Sequence, residues 1–237
     1  MDKLNIYITT YKDFTPIVKN PVYKILDARD YRNEKDLLDD RFFSEIFMYS
    51  KLKVESEYVG FCHYRKYWGF LDDIPNIDEI FEKYDAITLK PFGLRRNVKD
   101  QYGLCHNPED MDIVQDIIYN DYKDYKEDFD AVMKGNTFFP CNMFIMKASD
   151  FEEYREFIWG VLQKFVEKVG TNIDNRIRRK KNKYIKSFYP NNTISYQYRI
   201  GGYLAERLTN VFFCKKFRKV RTYDMVLSEG KYGYNNI

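Results

Sequence analysis

The residues best equipped for chemistry are crowded into "YVGFCHYRKYWGF", Tyr58 to Phe70, where Cys62, His63, Arg65 and Lys66 follow an apolar run. In an extended strand His63 and Arg65 would point to one side, and Tyr64 and Lys66 to the other. An imidazole beside a planar guanidinium fork suits a phosphate. The plainer alternative is a polar strand end whose side chains bond neighbouring carbonyls. The chain has one further histidine, His106, which like His63 directly follows a cysteine. Two histidines rule out a multi-histidine metal cage. Four scattered cysteines with no CxxC spacing argue against a zinc site or disulfide framework and suit a reducing cytoplasm. Neither GxGxxG nor the P-loop pattern nor a GxSxG elbow occurs.

Such residues need a scaffold, and the pattern of the chain supplies one. "KLNIYITTY" reads as a buried first strand, with a weaker second strand at "VYKILDA". "DDRFFSEIFMYSKLK" has helical spacing, capped by Asp39 or Asp40, and leads into the "YVGF" strand. "NIDEIFEKY" predicts a short helix and "DAITLKP" a strand, while "FGLRRNVKDQYGLCHN" shows no clear periodicity. Asn107-Pro108 opens a helical region that runs, continuous or broken, to Gly135. "TFFPCNMFIMK" predicts a strong buried strand. Ser149 and Glu152 then read as a capping box for a helix placing Phe151, Tyr154, Phe157, Ile158, Val161, Leu162 and Phe165 in the core. A helix through Tyr203, Leu204 and Leu208 and a closing strand at "KVRTYDMVLS" complete the order.

Alternating strands and helices predict an α/β fold with a mostly parallel central sheet flanked by helices, in one domain over 1–237 with a basic insertion or loop at about 171–190. In such sheets ligands sit beyond the carboxyl ends of the strands. The predicted rim is Thr10, Tyr11, Lys12, His63, Arg65, Lys66, Lys90 and Asn142, a cationic set suited to a diphosphate. Net charge is only +3, which gives no global field for nucleic acid. No signal-peptide pattern is present, and no apolar run approaches the ~20 residues of a spanning helix.

The ordered segments "SEIFMY", "YVGFCHYRKYW", "YDAITLKP", "CNMFIMKASDFEEYREFIWGVL" and "YRIGGYLAERL" resemble the capsular-polysaccharide-synthesis glycosyltransferase family, long filed as a domain of unknown function. Its hallmarks are a Cys-His-Tyr-Arg-Arg-Tyr-like strand end, an Asn-Met-Phe-Ile-Met strand and an Ala-Glu-Arg-Leu helix. The resemblance implies a GT-A-like nucleotide-diphospho-sugar transferase fold. It further implies transfer of a sugar, galactofuranose or another hexose, from a UDP-linked donor to a surface polysaccharide or glycoconjugate.

On this reading His63-Tyr64-Arg65 stands where GT-A enzymes usually carry a metal-holding Asp-x-Asp. His63, Arg65, Lys66 and Arg199 would then hold the donor diphosphate, and Thr9, Thr10, Tyr11 and Lys12 the nucleotide. Asn142 and His106 would meet sugar hydroxyls, with Glu206 and Asp110 as catalytic carboxylates; Asp150 and Glu45 are further candidates. No cofactor is certain; a divalent metal (Mn or Mg) with His63 as one ligand is the open alternative. The expected partners are a nucleotide-sugar donor and a glycan or lipid-linked acceptor, not nucleic acid. Arg176, Arg178, Arg179, Lys180 and Lys181 would touch an anionic membrane leaflet from the cytoplasm. A non-catalytic nucleotide- or glycan-binding protein on the same fold is the rival reading.

Overall fold

The opening run forms β1 (Asp2–Thr10), and both its faces are buried: Ile6 and Ile8 on one, Tyr7 and Thr9 on the other. A strand covered on both sides must be apolar almost throughout, which accounts for "LNIYITT". The structure, a computed structural model, describes residues 2–31, 45–170 and 198–228. The Asp39/Asp40 cap and the basic segment, Arg176 to Lys181 included, lie outside these residues.

β1 pairs in parallel with β2 (Tyr23–Asp27) and β3 (Ser56–His63), with Thr10 beside Asp27 and Thr9 beside His63. β8 (Phe144–Lys147) lies antiparallel between β3 and β5 (Ala86–Leu89), and β9 (Val220–Tyr223) is parallel to β5. The carboxyl ends of β1, β2, β3 and β5 therefore share one rim with the start of β8. The α/β class is as expected, but the sheet is mixed rather than mostly parallel, because β8 runs against its neighbours. β6 (Phe92–Gly93) and β7 (Thr137–Phe138) make a separate two-stranded ribbon.

Period-two alternation splits the sheet into two cores. Val59, Phe61, Phe144 and Met146 face the main helical layer. That layer contains α2 (Glu45–Lys51), α5 (Pro108–Asp121), α7 (Ala148–Val169) and α8 (Ile200–Lys216). Tyr58, Cys62 and Ile145 face a smaller cluster with Trp68, Met225 and Ile77 of α3 (Ile77–Phe81). All seven core residues expected on α7 are buried, at roughly 1.5–3 kcal/mol each, so this helix is anchored along its length.

Five local expectations are corrected. Strand β3 stops at His63: Tyr64 and Arg65 form a hairpin turn, and Lys66 starts β4 (Lys66–Trp68) opposite His63. Arg65 is thus not on the strand face with His63. "TFFPCNMFIMK" is two strands separated by a turn at Cys141-Asn142, not one. The last segment is likewise β9 and then β10 (Met225–Leu227), which pairs with β4. The stretch without periodicity contains α4 (Val98–Cys105), capped by Asn97 accepting from the Asp100 N–H, while α7 starts one residue before Ser149 with no side-chain cap. α6 (Lys126–Lys134) and a short 3₁₀ turn complete the broken helical region after α5. A four-residue α1 (Ala28–Tyr31) follows β2.

Gly60 marks the closest approach within the sheet. A Cβ there would sit 2.7 Å from Ile145 Cγ1 and 3.3 Å from Ile6 Cγ1. Gly60→Ala is expected to cost about 1–3 kcal/mol through overpacking, seen as a melting temperature lowered by several degrees in a calorimetric scan. An unchanged melting temperature would mean that β3 and β8 are not packed this closely.

Candidate functional site

The rim is organised around two residues that ought not to be comfortable. Cys141 has φ 71° and Asn142 φ 48°, both in the left-handed region. Each such residue costs on the order of 1–2 kcal/mol, less for Asn, whose short amide tolerates it. The turn persists because its neighbours hold nearly every polar group in it. The Cys141 N–H donates to Glu206 Oε1 at 2.6 Å, and its carbonyl accepts from His63 Nε2 at 2.6 Å. Its thiol accepts from Lys66 Nζ at 3.0 Å. The Asn142 amide donates to Glu45 Oε1 at 2.8 Å and to the Gly202 carbonyl, and accepts from Thr209 Oγ1 at 3.0 Å. Tyr154 closes this chain through Thr209. One turn thereby joins β3, β4, α2, α7 and α8.

His63 is half-buried, and both its ring nitrogens are engaged, one by the Cys141 carbonyl and the other by Thr9 Oγ1 at 3.0 Å. Burial lowers its pKa from the ordinary 6.5, against an opposing pull from Glu45. The neutral ring then donates from Nε2 to the Cys141 carbonyl, while Nδ1 lies 3.0 Å from Thr9 Oγ1, whose hydroxyl also reaches the Cys62 carbonyl. Both ring nitrogens are thus engaged within the protein. Among the described residues no group of three or more His, Cys, Asp and Glu side chains could hold an ion. The donor set at the rim does not fit a divalent metal.

Beyond the turn lies an exposed aromatic and cationic patch. Tyr11 is 55% exposed and meets Tyr64 edge-on, ring centroids 5.6 Å apart, with the two hydroxyls 3.2 Å from each other. Lys12 and Arg65 both lie 5.1 Å from the Tyr64 ring centre. The Tyr11 phenol is held below its ordinary pKa by the hydrogen bond from Tyr64 and by the charges of Arg65, Lys12 and Arg199. Arg199 sits at the start of α8, 43% exposed, with its guanidinium 3.6 Å from Glu45 Oε2. Glu45 itself is buried. Four cations, Lys12, Arg65, Lys66 and Arg199, thus gather about Tyr64, His63 and the strained turn, an arrangement able to accept a polyanion beside a flat ring.

The remaining sequence-derived candidates go elsewhere. Thr9 is spent on His63 and the Cys62 carbonyl, and Thr10 on shaping the loop through the Lys12 backbone. Asn142 uses its amide inside the protein, on Glu45, Gly202 and Thr209. Glu206 has one oxygen on the Cys141 N–H and the other on Arg207, 2.7 Å away, so its carboxylate braces the turn. Asp110 is buried, accepts from Tyr102 Oη and Asn107 Nδ2, and lies at the α4–α5 corner. His106 is buried between Tyr102 and Tyr203, stacked on the latter at 4.1 Å. Lys90 pairs with Asp224 and Asp150 with Lys216.

Sequence reading passed over Cys141, Tyr64 and Arg207. Arg207 is 3% exposed and binds Glu206, Gln101 and two aromatic faces. "PCN" carried the available signal for the turn, Pro before Asn being turn chemistry inside an apolar run.

Comparison with known proteins supports this architecture. Residues 40–217 match a family described as a domain of unknown function, DUF4422. No curated protein matches the chain. Among solved structures, the ligand-free bifunctional glycosyltransferase WbbM matches over 100% of this chain, with a TM-score of 0.70 at 19% identity. The chain spans about half of that protein, 48% of its length. At this identity the likeness establishes the fold, α/β with a mixed central sheet.

Two outcomes follow from the clamped turn. Asn142→Ala removes the amide bonds to Glu45, Gly202 and Thr209 and keeps the unfavourable φ; a loss of about 2–4 kcal/mol is expected in denaturant unfolding. For His63 the folded pKa lies below the unfolded value of 6.5. Below that pH the unfolded chain takes up a proton that the folded chain resists, so stability falls as pH drops from 6.5 toward the folded pKa. Melting temperatures measured between about pH 7 and 5 should decline more steeply in the wild type than in His63→Gln. Parallel declines would remove His63 as the cause.

Proposed function

The chain belongs to the DUF4422 family, and from that premise we propose that it is a glycosyltransferase using a nucleotide-diphospho-sugar. The observation that carries this reading is the gathering of Lys12, Arg65, Lys66 and Arg199 at the carboxyl ends of β1 and β3, beside the exposed Tyr11 ring. The fold shared with WbbM adds weight. In the reaction the acceptor oxygen attacks the anomeric carbon, the bond to the diphosphate oxygen breaks, and the acceptor proton leaves to a base. The negative charge that builds on the departing diphosphate falls among fixed cations, which is where electrostatic stabilisation acts most strongly. Arg65 and Arg199 offer planar forks for phosphate oxygens, and Tyr11 offers a face to the nucleobase.

The finer reading is UDP as the nucleotide, galactofuranose or another hexose as the sugar, and a surface polysaccharide or lipid-linked glycan as the acceptor. In this reading the enzyme works in the cytoplasm, with the basic segment around Arg178 touching an anionic leaflet. Glu206 would have to give up its bond to the Cys141 N–H to serve as base, so it enters this scheme as the residue that positions the turn.

The rival, a nucleotide- or glycan-binding protein without turnover, is favoured by one observation: Glu206 and Asp110 are both committed to internal hydrogen bonds. Hydrolysis of UDP-hexose in the absence of acceptor separates the two, since a pure binder leaves the donor intact.

Calorimetric titration of UDP tests the site. Binding is expected without metal, and Arg65→Ala should weaken it about ten- to a hundredfold, the worth of a charge-assisted contact. Strict manganese dependence would overturn the metal-free cationic site. Unweakened binding by Arg65→Ala would remove this arginine from the diphosphate.

A further inference from the structure

The rim contains one buried carboxylate whose charge is opposite to everything the proposed donor site needs. Glu45 is 7% exposed and stands at the start of α2, with Oε1 fixed by the Asn142 amide at 2.8 Å. Its other oxygen faces the Arg199 guanidinium at 3.6 Å. That separation is within ion-pair reach but too long for a hydrogen bond. Arg199 is 43% exposed, so it reaches solvent while paired with Glu45. Its field reaches Tyr11, Tyr64 and His63, the groups around which the other cations gather.

We propose that Glu45 is a positioning residue that competes with the donor diphosphate for Arg199, holding the guanidinium at the rim when the site is empty and drawing it back when the product leaves. This rests on the nucleotide-sugar reading above and adds a division of labour to it. Arg65, exposed in the hairpin turn, stacks on Tyr64 and remains at the site. Arg199 exchanges partners. When the diphosphate arrives, the guanidinium shifts from a loosely placed carboxylate to phosphate oxygens that its fork fits better. After transfer the nucleoside diphosphate keeps its negative charge, and the buried carboxylate, fixed by Asn142, opposes its staying. A site built of four cations alone would retain its product; a competing carboxylate limits that.

The Asn142 contact makes this specific to Glu45. The same turn that needs His63 and Glu206 for its strained backbone also determines where this carboxylate stands. Glu45→Gln is nearly isosteric and keeps an oxygen to accept the Asn142 amide while removing the charge that faces Arg199.

The experiment is a double-mutant cycle on the full chain: wild type, Glu45→Gln, Arg199→Ala and the double variant, titrated with UDP and separately with inorganic pyrophosphate at low and high salt. Glu45→Gln should bind UDP about three- to tenfold more tightly than wild type, as expected for the loss of a partly exposed competing pair. That gain should vanish when Arg199 is already Ala, and shrink at high salt. In steady-state donor hydrolysis Glu45→Gln should lower KM and also lower kcat, because product release slows.

A merely structural role predicts weaker binding and a lowered melting temperature, with the same change in the Arg199→Ala background; that pattern would overturn the competition. Tight UDP binding by the wild type that Glu45→Gln leaves unaltered would also overturn it, while the donor-site reading stands. If the wild type binds neither UDP nor pyrophosphate, the diphosphate site itself fails, and the competition with it.

Discussion

Two successive residues held in the left-handed region, Cys141 and Asn142, form the constraint from which the rest of the rim follows. A backbone that disfavours this conformation relaxes unless its polar groups find better partners by staying. Here they find them on four sides, in His63, Lys66, Glu206 and Glu45. The carbonyl bond to His63 ties the turn to the end of β3, and the Asn142 amide ties it to α2. Glu206 ties it to α8, whose own Arg207 is locked by Gln101 and the Tyr102 and Phe138 rings. These bonds, not the strained backbone, keep the start of β8 beside the carboxyl end of β3.

The electrostatics rest on the same geometry. Lys66 is drawn inward to the Cys141 thiol, and Arg199 is aimed by a carboxylate that Asn142 positions. Lys12 and Arg65 are instead organised by the Tyr64 ring, which offers its π face to cations and its hydroxyl to Tyr11. The positive field is therefore in place before any anion arrives, and preorganised charge of this kind spares a reaction the cost of reorienting its surroundings. The apolar layers beneath supply rigidity: Phe61, Phe144, Phe151 and Tyr154 are fully buried against one another under the turn.

Much of the scaffold was legible in the residue pattern because the signals were local. Buried runs such as "LNIYITT", the Asn107-Pro108 helix start and the seven-residue apolar face of α7 each follow from spacing alone. Expectations failed where a short-range pattern was overruled by a distant partner. "TFFPCNMFIMK" is apolar enough for one strand, yet Glu206, 65 residues on, captures the Cys141 N–H and turns the chain. "CHYRKYW" alternates like a strand, but the pairing of Lys66 with His63 folds it into a hairpin and removes Arg65 from the His63 face. The helix at Val98 was missed although Asn97 and Asp100 carry its cap, because its apolar residues are few.

By itself the sequence determined the α/β class, the strands that end at the rim, and a cationic character for that rim through Lys12, Arg65 and Lys66. These depend on side-chain type and on periods of two and 3.6, which neighbours in the chain can express. Tertiary structure alone decided what each group does. Asp110 and His106 became core residues, Glu206 and Asn142 became braces of a turn, and Glu45 became the partner of Arg199. The roles of Glu206 and Asn142 are fixed by contacts between residues 60 to 97 positions apart, and Glu45 meets Arg199 from still further along the chain. Whether a carboxylate serves as base, brace or counter-ion depends on what stands within about 3 Å of it, and no local pattern in the chain encodes that distance.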